Sequence, residues 1–321
     1  MSPRVATALD LPFGSAGGSV ELFLDLYTGE NPLLPARAFM LAPAARPPRP
    51  PAGVELLSVP GKCLSGPPFR VYVNALRRDL AHRVAPSSVD VLHLQHLAFG
   101  GTPALMRALP THPRIALVHG TDLLFAEAHK DQHQVLQEAV RAADAIVVPT
   151  GAMADHLLKI VPTVNRRKIT RIPWGIPDHL LTAPPPRHQF HGLTPLLRLL
   201  KVHVRYLGWL TRPQLWKAFA DHDALVMPST TLEAMGLVAL EAQACGLPVI
   251  YQPVPGLNDT LAATGLATDF TNPTTLAQDL NRLRSTLGLL PALQAAGRTN
   301  AARYPLSATA AALNDLGKQL T

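Results

Sequence analysis

Two glutamates eight positions apart, Glu233 and Glu241, are the residues best suited to chemistry. They lie in the stretch Pro228-Ser229-Thr230-Thr231-Leu232-Glu233-Ala234-Met235-Gly236, which runs on through Leu237-Val238-Ala239-Leu240-Glu241 to Cys245-Gly246-Leu247-Pro248-Val249-Ile250. Ala224–Met227 reads as a strand, a loop with Glu233 follows, and a helix from about Leu237 stops at a C-capping Gly246. Were the whole stretch helical, the two carboxylates would stand ~12 Å apart along the axis and ~80° around it. They could then face one extended ligand at two depths. The backbone N–H groups of Met235, Gly236 and Leu237 between them suit a diphosphate. The competing reading makes Glu233 a partner of the helix dipole and Glu241 a partly exposed helical residue; the apolar flanks of Glu241 weigh against it.

Three further sites follow strands. His119-Gly120-Thr121-Asp122 comes after Ile115–Val118 and is a good recipe for hydrogen bonding a polyol or amine. Asp122, with Glu127 near it, could hold an acceptor hydroxyl or amine; otherwise Thr121 or Asp122 caps a helix. His93 and His96 flank the end of an earlier strand, but their spacing matches no zinc pattern. Gly17-Gly18 follows the first strand and precedes a helix, where glycine lets the backbone approach an anion at the helix N-terminus. It is not a G-x-G-x-x-G fingerprint, so a nicotinamide dinucleotide is disfavoured.

The elements that must position these residues alternate between strand and helix. Strands are expected at Val5–Leu9, Val89–Leu94, Ile115–Val118, Ala145–Val148 and Ile169–Ile172, with a short one ending the Pro-rich stretch 42–60. Helices are expected at Val20–Tyr27, Val71–Arg83, Pro103–Leu109 and Gln132–Ala143, and at Ala152–Ile160 behind a Thr150 cap. Apolar strands without polar alternation imply a parallel sheet covered on both faces. The second half reads as helix Leu196–Leu200, strand Val202–Leu207, helix Arg212–Phe219, strand Ala224–Met227, helix Leu237–Cys245 and strands Pro248–Tyr251 and Gly265–Thr268. Leu276, Leu280, Leu283 and Leu287 then recur at helical spacing, and Ala310, Leu313, Leu316 and Leu320 mark a last amphipathic helix. The expected architecture is α/β: two tandem Rossmann-like, doubly wound domains. Residues 1–175 form an N-terminal domain and 176–192 a linker. A second domain follows at 193–305, and a helix at 306–321 packs back towards the first; the resemblance described below implies that the first is the acceptor-side domain and the second a reduced nucleotide-sugar domain.

Composition narrows the class. The 321 residues, at roughly 150 per domain, suggest two domains. Hydrophobic residues at 47% against 16% charged exclude a disordered chain. The 32 prolines cluster at Pro47, Pro48, Pro50, Pro51 and Pro184 to Pro186, as in linkers and loop edges. Two cysteines, Cys63 and Cys245, exclude a disulfide framework and suit a reducing cytoplasmic setting. No apolar run is long enough for a transmembrane helix, and Asp10 and Pro12 interrupt any signal-peptide core. The net charge of +7 suits an anionic small-molecule partner. Only 5% of residues are aromatic and they do not interleave with basic ones, so nucleic acid is not an expected partner. The one basic run, Arg166, Arg167 and Lys168 with Arg171 beyond, reads as a solvated face.

Glu233 to Glu241, with Pro228-Ser229 before and Cys245-Gly246-Leu247-Pro248-Val249 after, resembles the signature of the retaining family-4 glycosyltransferases of GT-B fold. Further matches fall in order: Gly17-Gly18, His119, Ala143-Asp144-Ala145-Ile146-Val147-Val148-Pro149-Thr150, Ile172-Pro173-Trp174-Gly175-Ile176 with Trp in place of Asn, Val204-Arg205-Tyr206-Leu207-Gly208, and Gly256. The resemblance implies transfer of a sugar from a nucleotide-diphosphate sugar, a UDP-sugar foremost, with retention and without a metal or other cofactor. It implies that Glu241 holds the ribose hydroxyls, and that His119 and Glu233 contact the donor sugar as the catalytic pair. Gly208 would line the base site, and Ala234, Met235, Gly236 and Leu237 would present N–H groups to diphosphate or sugar. Gly17 and Gly18 would meet phosphate or acceptor, and Asp122 the acceptor. In the front-face mechanism proposed for such enzymes the leaving phosphate oxygen takes the acceptor's proton.

Between Gly175 and Gly208 the family has more chain, including a Gly-Arg…Lys-Gly motif whose cations offset the diphosphate charge. Here that motif and a following Gly-x-Gly-Pro turn are missing; Arg171, Lys201, Arg205 and Arg212 are the candidate substitutes. The shortened sheet exposes an edge that could pair with another chain and form an oligomer. The expected function is therefore a cytoplasmic glycosyltransferase with a small-molecule or glycan acceptor. The competing readings are a non-catalytic pseudo-glycosyltransferase module, or an epimerase or hydrolase of the same fold.

Overall fold

The computed structural model describes residues 2–43, 50–59, 62–186 and 206–321. Contacts divide the chain into two units. The first comprises Met1–Gly175, Leu232–Met235 and Leu306–Thr321; the second comprises Ile176–Thr231 and Gly236–Pro305.

The first unit is built on seven strands: β1 (Val5–Pro12), β2 (Ala36–Leu41), β3 (Val54–Leu57), β4 (Val91–Gln95), β5 (Arg114–Leu117), β6 (Ala145–Val148) and β7 (Ile169–Arg171). Their spatial order is β3-β2-β1-β4-β5-β6-β7, and every pair is parallel. The order reverses between β1 and β4, the switch point where such sheets open a crevice beyond their carboxyl ends. β4 and β6 are buried at every position, as parallel strands covered on both faces must be. Yet β4 reads Val-Leu-His-Leu-Gln, so His93 and Gln95 are polar residues inside a fully covered strand. The helix Gly66–Arg83 lays Phe69, Tyr72, Val73, Leu76 and Leu80 on the core, and the helix Gly101–Ala108 packs beside it. Thr150 caps the helix Gly151–Ile160, its hydroxyl accepting from the Met153 N–H at 3.3 Å. The last helix, Leu306–Leu320, approaches so closely that a Cβ on Gly317 would lie 3.3 Å from Pro3.

The second unit has, among the described residues, three parallel strands: β8 (Leu225–Met227), β9 (Val249–Tyr251) and β10 (Leu266–Ala267), in the order β10-β9-β8. Helices Arg212–Ala220, Leu237–Ala244 and Leu289–Ala301 belong to it, and the last two pack together. There Asn300 donates to Gln243 Oε1 at 2.8 Å and to the Thr260 carbonyl at 3.0 Å.

Several expectations need amending. Strand β2 and the helix Leu289–Ala301 were not foreseen, and Pro291 and Gly297 interrupt the apolar periodicity of the latter; the helix Thr121–Ala128 is the one that the alternative reading of Thr121 and Asp122 would start. The leucine-spaced helix ends at Ser285, because the chain turns at Gly288 (φ 82°), and Leu287 is fully exposed beyond it. The stretch 176–186, read as linker, carries a helix at Asp178–Thr182 and belongs to the second unit. Helix Leu196–Leu200 lies outside the described residues, as do residues 202–205 of the strand expected at Val202–Leu207; Tyr206 and Leu207 are not in a strand. No helix among the described residues is long and apolar enough to cross a membrane.

Candidate active-site residues

His119 stands two residues beyond Leu117, which pairs with Gln95 of β4. Side chains two apart in an extended chain share a face, so the imidazole meets the Gln95 amide: His119 Nε2 lies 2.7 Å from Gln95 Oε1. Trp174 stacks on one ring face at 5.8 Å and 25°, and His96 meets the ring edge-on at 4.7 Å. Burial lowers the His119 pKa to about 4, so the ring is neutral near pH 7. The Trp noted as a departure from Asn is therefore a wall of the His119 site.

Asp122 has a different task from the one expected of it. Its carboxylate is fully buried and accepts from the Leu97 N–H at 2.8 Å and the His119 N–H at 3.2 Å. It thus fastens the turn after β5 to the loop after β4, in the first turn of the helix Thr121–Ala128, and is closed to an acceptor. Burial pushes its pKa up to about 6, against the pull of those N–H groups. Glu127, grouped with Asp122 as an acceptor contact, instead pairs with Lys159 and His156. Gly120 is required twice. Its φ is +90°, and a Cβ there would sit 3.1 Å from the Cβ of Ala234. Ala234 in turn accepts at its carbonyl from Thr150 Oγ1 at 3.0 Å, which fixes the segment Leu232–Met235 that carries Glu233. Glu233 is half-buried, and Met235 Sδ accepts from the Trp174 N–H at 3.1 Å.

The loop after β4 is held in an uncommon shape. His96 (φ 52°) and Phe99 (φ 72°) are left-handed without being glycine. Such strain persists where surroundings over-determine it. Here Leu97 N–H donates to Asp122, Phe99 N–H to Gln132 Oε1 and Gly100 N–H to Asp10 Oδ2, while the Thr102 hydroxyl donates to the Gln95 carbonyl. Asp10, at the end of β1, is itself buried, with a raised pKa, and has Lys62 3.7 Å away. Gly17 (φ 140°) precedes the helix Gly18–Tyr27, and both glycines are exposed. His93 Nδ1 is taken up by the Tyr27 hydroxyl at 2.8 Å. Among the described residues no group of three His, Cys, Asp or Glu could hold a metal ion.

In the second unit Glu241 is buried in the helix Leu237–Ala244. Its Oε1 accepts from Arg212 Nε at 3.0 Å and Nη2 at 2.5 Å, and its Oε2 from Trp216 Nε1 at 2.9 Å. Arg212 and Trp216 lie four apart on the helix Arg212–Ala220, so they reach Glu241 together. That helix begins with a capping box of Thr211 and Gln214. Arg212 was foreseen only as a candidate for the diphosphate charge; Trp216 was not foreseen, and no local pattern announces a pairing across 25 residues. Gly236 opens the Glu241 helix at φ 73°, and a Cβ there would meet Leu257 Cδ2 at 2.4 Å, so glycine is required. Leu237 starts the helix behind it. Gly208 (φ 69°) has open space around it, between exposed Tyr206 and Trp209.

Two family descriptions match the chain in succession: Glycosyltransferase Family 4 over residues 36–180 and Glycosyl transferases group 1 over residues 196–297. The D-inositol 3-phosphate glycosyltransferase of Streptomyces bingchenggensis is 34% identical over 163 residues, covering 50% of this chain and 35% of that protein. The namesake from Pseudarthrobacter chlorophenolicus is 47% identical over 68 residues, 21% of this chain and 16% of its own. The chain thus matches about a third or less of the length of these curated relatives. Among solved structures, sucrose-phosphate synthase of Thermosynechococcus elongatus superposes with a TM-score of 0.73 at 16% identity over 99% of both chains. Anabaena HepE, solved with UDP and glucose, gives 0.68 at 14% identity over 99% of this chain and 100% of its own. The chain belongs to the family-4 glycosyltransferases and has the GT-B fold.

Proposed function

We propose that the chain is a cytosolic retaining glycosyltransferase that moves a sugar from a nucleotide-diphosphate sugar to a small-molecule or glycan acceptor. The observation that carries this reading is the intact two-glutamate segment: Glu233 held in place through Ala234, and Glu241 buried on a helix that opens at a left-handed Gly236. Structures related in fold have been solved with UDP and glucose, which supports a UDP-sugar as the first donor to try. The curated relatives named for D-inositol 3-phosphate make a phosphorylated polyol a sensible first acceptor.

In this reading Glu241 binds a ribose hydroxyl. An ionised carboxylate offers about four lone-pair sites. Arg212 and Trp216 fill three among the described residues, and one site on Oε2 remains for a hydroxyl. Glu233 and His119 contact the donor sugar. The N–H groups from Ala234 to Leu237 stabilise the charge that develops on the leaving diphosphate, so no side-chain base is needed and no metal is required. A second reading, nucleotide-sugar binding without turnover, is favoured by the engagement of Glu241 with Arg212 and by the missing Gly-Arg…Lys-Gly motif.

The test is to incubate the protein with UDP-, GDP- and dTDP-sugars and measure released nucleotide, with and without inositol phosphates and simple glycosides. Release only with acceptor, and product of unchanged anomeric configuration, is the expected result. Glu233→Ala and Glu241→Ala should each abolish it. Release without acceptor would point to hydrolysis or epimerisation, and binding without release to a module.

A further inference from the structure

Behind His119 runs a buried chain of polar groups whose hydrogen-bond directions are fixed by elimination. Thr7 of β1 sits directly beside His93 of β4 in the sheet register. Its hydroxyl donates to the His93 carbonyl at 2.9 Å. A hydroxyl has a single proton, so Thr7 Oγ1 can only accept from Gln95, which lies 3.1 Å away. That orients the Gln95 amide: its NH2 faces Thr7 and, at 3.3 Å, the Tyr27 hydroxyl. The tyrosine accepts from Gln95 and has its own proton left for His93 Nδ1 at 2.8 Å. The opposite end of the amide, Oε1, can only accept, and it meets His119 Nε2 at 2.7 Å. Nε2 must therefore carry the proton. In a neutral imidazole one nitrogen donates and the other accepts, so the lone pair is left on Nδ1.

We propose that Gln95 is the positioning residue of His119: its amide locks the imidazole as the Nε2–H tautomer, so that His119 offers a sugar hydroxyl an acceptor at Nδ1 and not a donor. The inference rests on the reading of His119 as a donor-sugar contact only in its last clause; the tautomer is a property of the resting protein. Trp174 and His96 restrict the ring's tilt, while the Gln95 bond sets which of its nitrogens faces inward. The amide is held by Thr7 and Tyr27, and so by β1 and the helix Gly18–Tyr27. His119 is thereby set by the sheet interior. The consequence for specificity is that a ligand group able to donate, such as a hydroxyl, fits Nδ1, whereas fluorine or a methoxy group at that place finds lone pair against lone pair.

The experiment is a two-bond proton–nitrogen correlation spectrum of the full chain with nitrogen-15 histidine at pH 7.5, His119 being assigned by the signal lost in His119→Gln. The expected wild-type pattern is a protonated-type Nε2 and a pyridine-type Nδ1. In Gln95→Leu the two nitrogens should move towards averaged positions, and in Gln95→Glu, which still accepts at the same place, the Nε2–H pattern should persist. A wild-type His119 found as Nδ1–H overturns the proposal, and so does a folded Gln95→Leu protein that keeps the Nε2–H pattern. If the leucine variant does not fold, the wild-type spectrum decides alone. In the nucleotide-release assay Gln95→Leu should lower kcat about 10- to 100-fold with a smaller change in KM, as misplacement of a reacting group does; unchanged kcat in a turning-over enzyme also overturns it. An Nε2–H His119 in a protein that turns over no donor would instead refute the transferase reading and leave the tautomer standing.

Discussion

Lowering the pH from 7.5 to 5 should destabilise the first unit, and the structure sets the size of the effect. His93 and His119 are buried and kept neutral, with pKa values lowered by desolvation to about 3 and about 4. His96 is also lowered well below its ordinary value, first by burial and then by its neighbours His119 and Lys62. In the unfolded chain each titrates near 6.5. A group whose folded pKa lies below its unfolded one loses stability as the pH falls through the unfolded value, because only the unfolded state takes up the proton. At pH 5 that is about 2 kcal/mol per histidine, from 1.36 kcal/mol per pH unit below ~6.5. For His93 and His119 together it is roughly 4 kcal/mol. Asp122 works in the opposite direction. Its pKa of about 6 in the fold, against ~3.9 unfolded, returns roughly 1.4 kcal/mol on acidification to pH 5. Asp10, also raised by burial, opposes the loss as well, while His96 adds to it. A net loss of about 2.5 kcal/mol from His93, His119 and Asp122 is a large share of a typical 5–15 kcal/mol. Urea denaturation at half-unit pH intervals reads it directly, and His93→Phe should remove about 2 kcal/mol of the acid slope whatever its effect at pH 7.5. A stability curve flat between pH 7.5 and 5, or an unchanged slope in His93→Phe, would refute the reasoning.

Arg212→Ala should lower the stability of the second unit by about 3–5 kcal/mol in urea, because it strands the buried Glu241 carboxylate with Trp216 alone. Gly120→Ala should cost about 1–3 kcal/mol through its left-handed φ, and the Cβ pressing on Ala234 should also lower nucleotide release by displacing Glu233; wild-type stability in that variant would count against the close approach.

What the sequence made legible follows the range of the interactions involved. The alternation of apolar runs with helical stretches identified most strands of the first sheet, because covered parallel strands such as β6, Ala-Ile-Val-Val, are apolar throughout; β4 was found by its Val and Leu residues although His93 and Gln95 interrupt them. The two-glutamate helix was legible too, since Gly236 and Gly246 mark its ends by backbone conformations that favour glycine. Strand β2 was missed because Arg37 breaks its apolar run; that charge is held at the edge by Glu55 of β3. Asp122 was misread because its type suited an acceptor contact, and only the fold shows the Leu97 N–H, 25 positions away, that occupies it. Gln95 was passed over entirely. A glutamine in an apolar strand has no local signature, and its partners Thr7, Tyr27 and His119 come from three other places in the chain.

The same logic bears on the missing cationic motif. Of the substitutes, Lys201 and Arg205 lie outside the described residues, and Arg171 ends β7 with its side chain exposed. Arg212 is already engaged: its guanidinium lies against Glu241, the residue assigned to the ribose. A charge so bound cannot serve a diphosphate without leaving a carboxylate that is almost wholly buried. If a nucleotide draws Arg212 away, its ribose hydroxyls must replace the two N–H donors on Oε1. Nucleotide binding and release of the arginine would then be one event. If Arg212 stays, it adds no charge to the backbone N–H groups that face a diphosphate, and slower turnover follows from the loss of that stronger, charge-assisted contact. Arg212→Lys separates the two cases. Lysine offers one compact charge without the fork, so nucleotide affinity should rise if Arg212 competes with ribose, and fall or stay level if it only steadies Glu241.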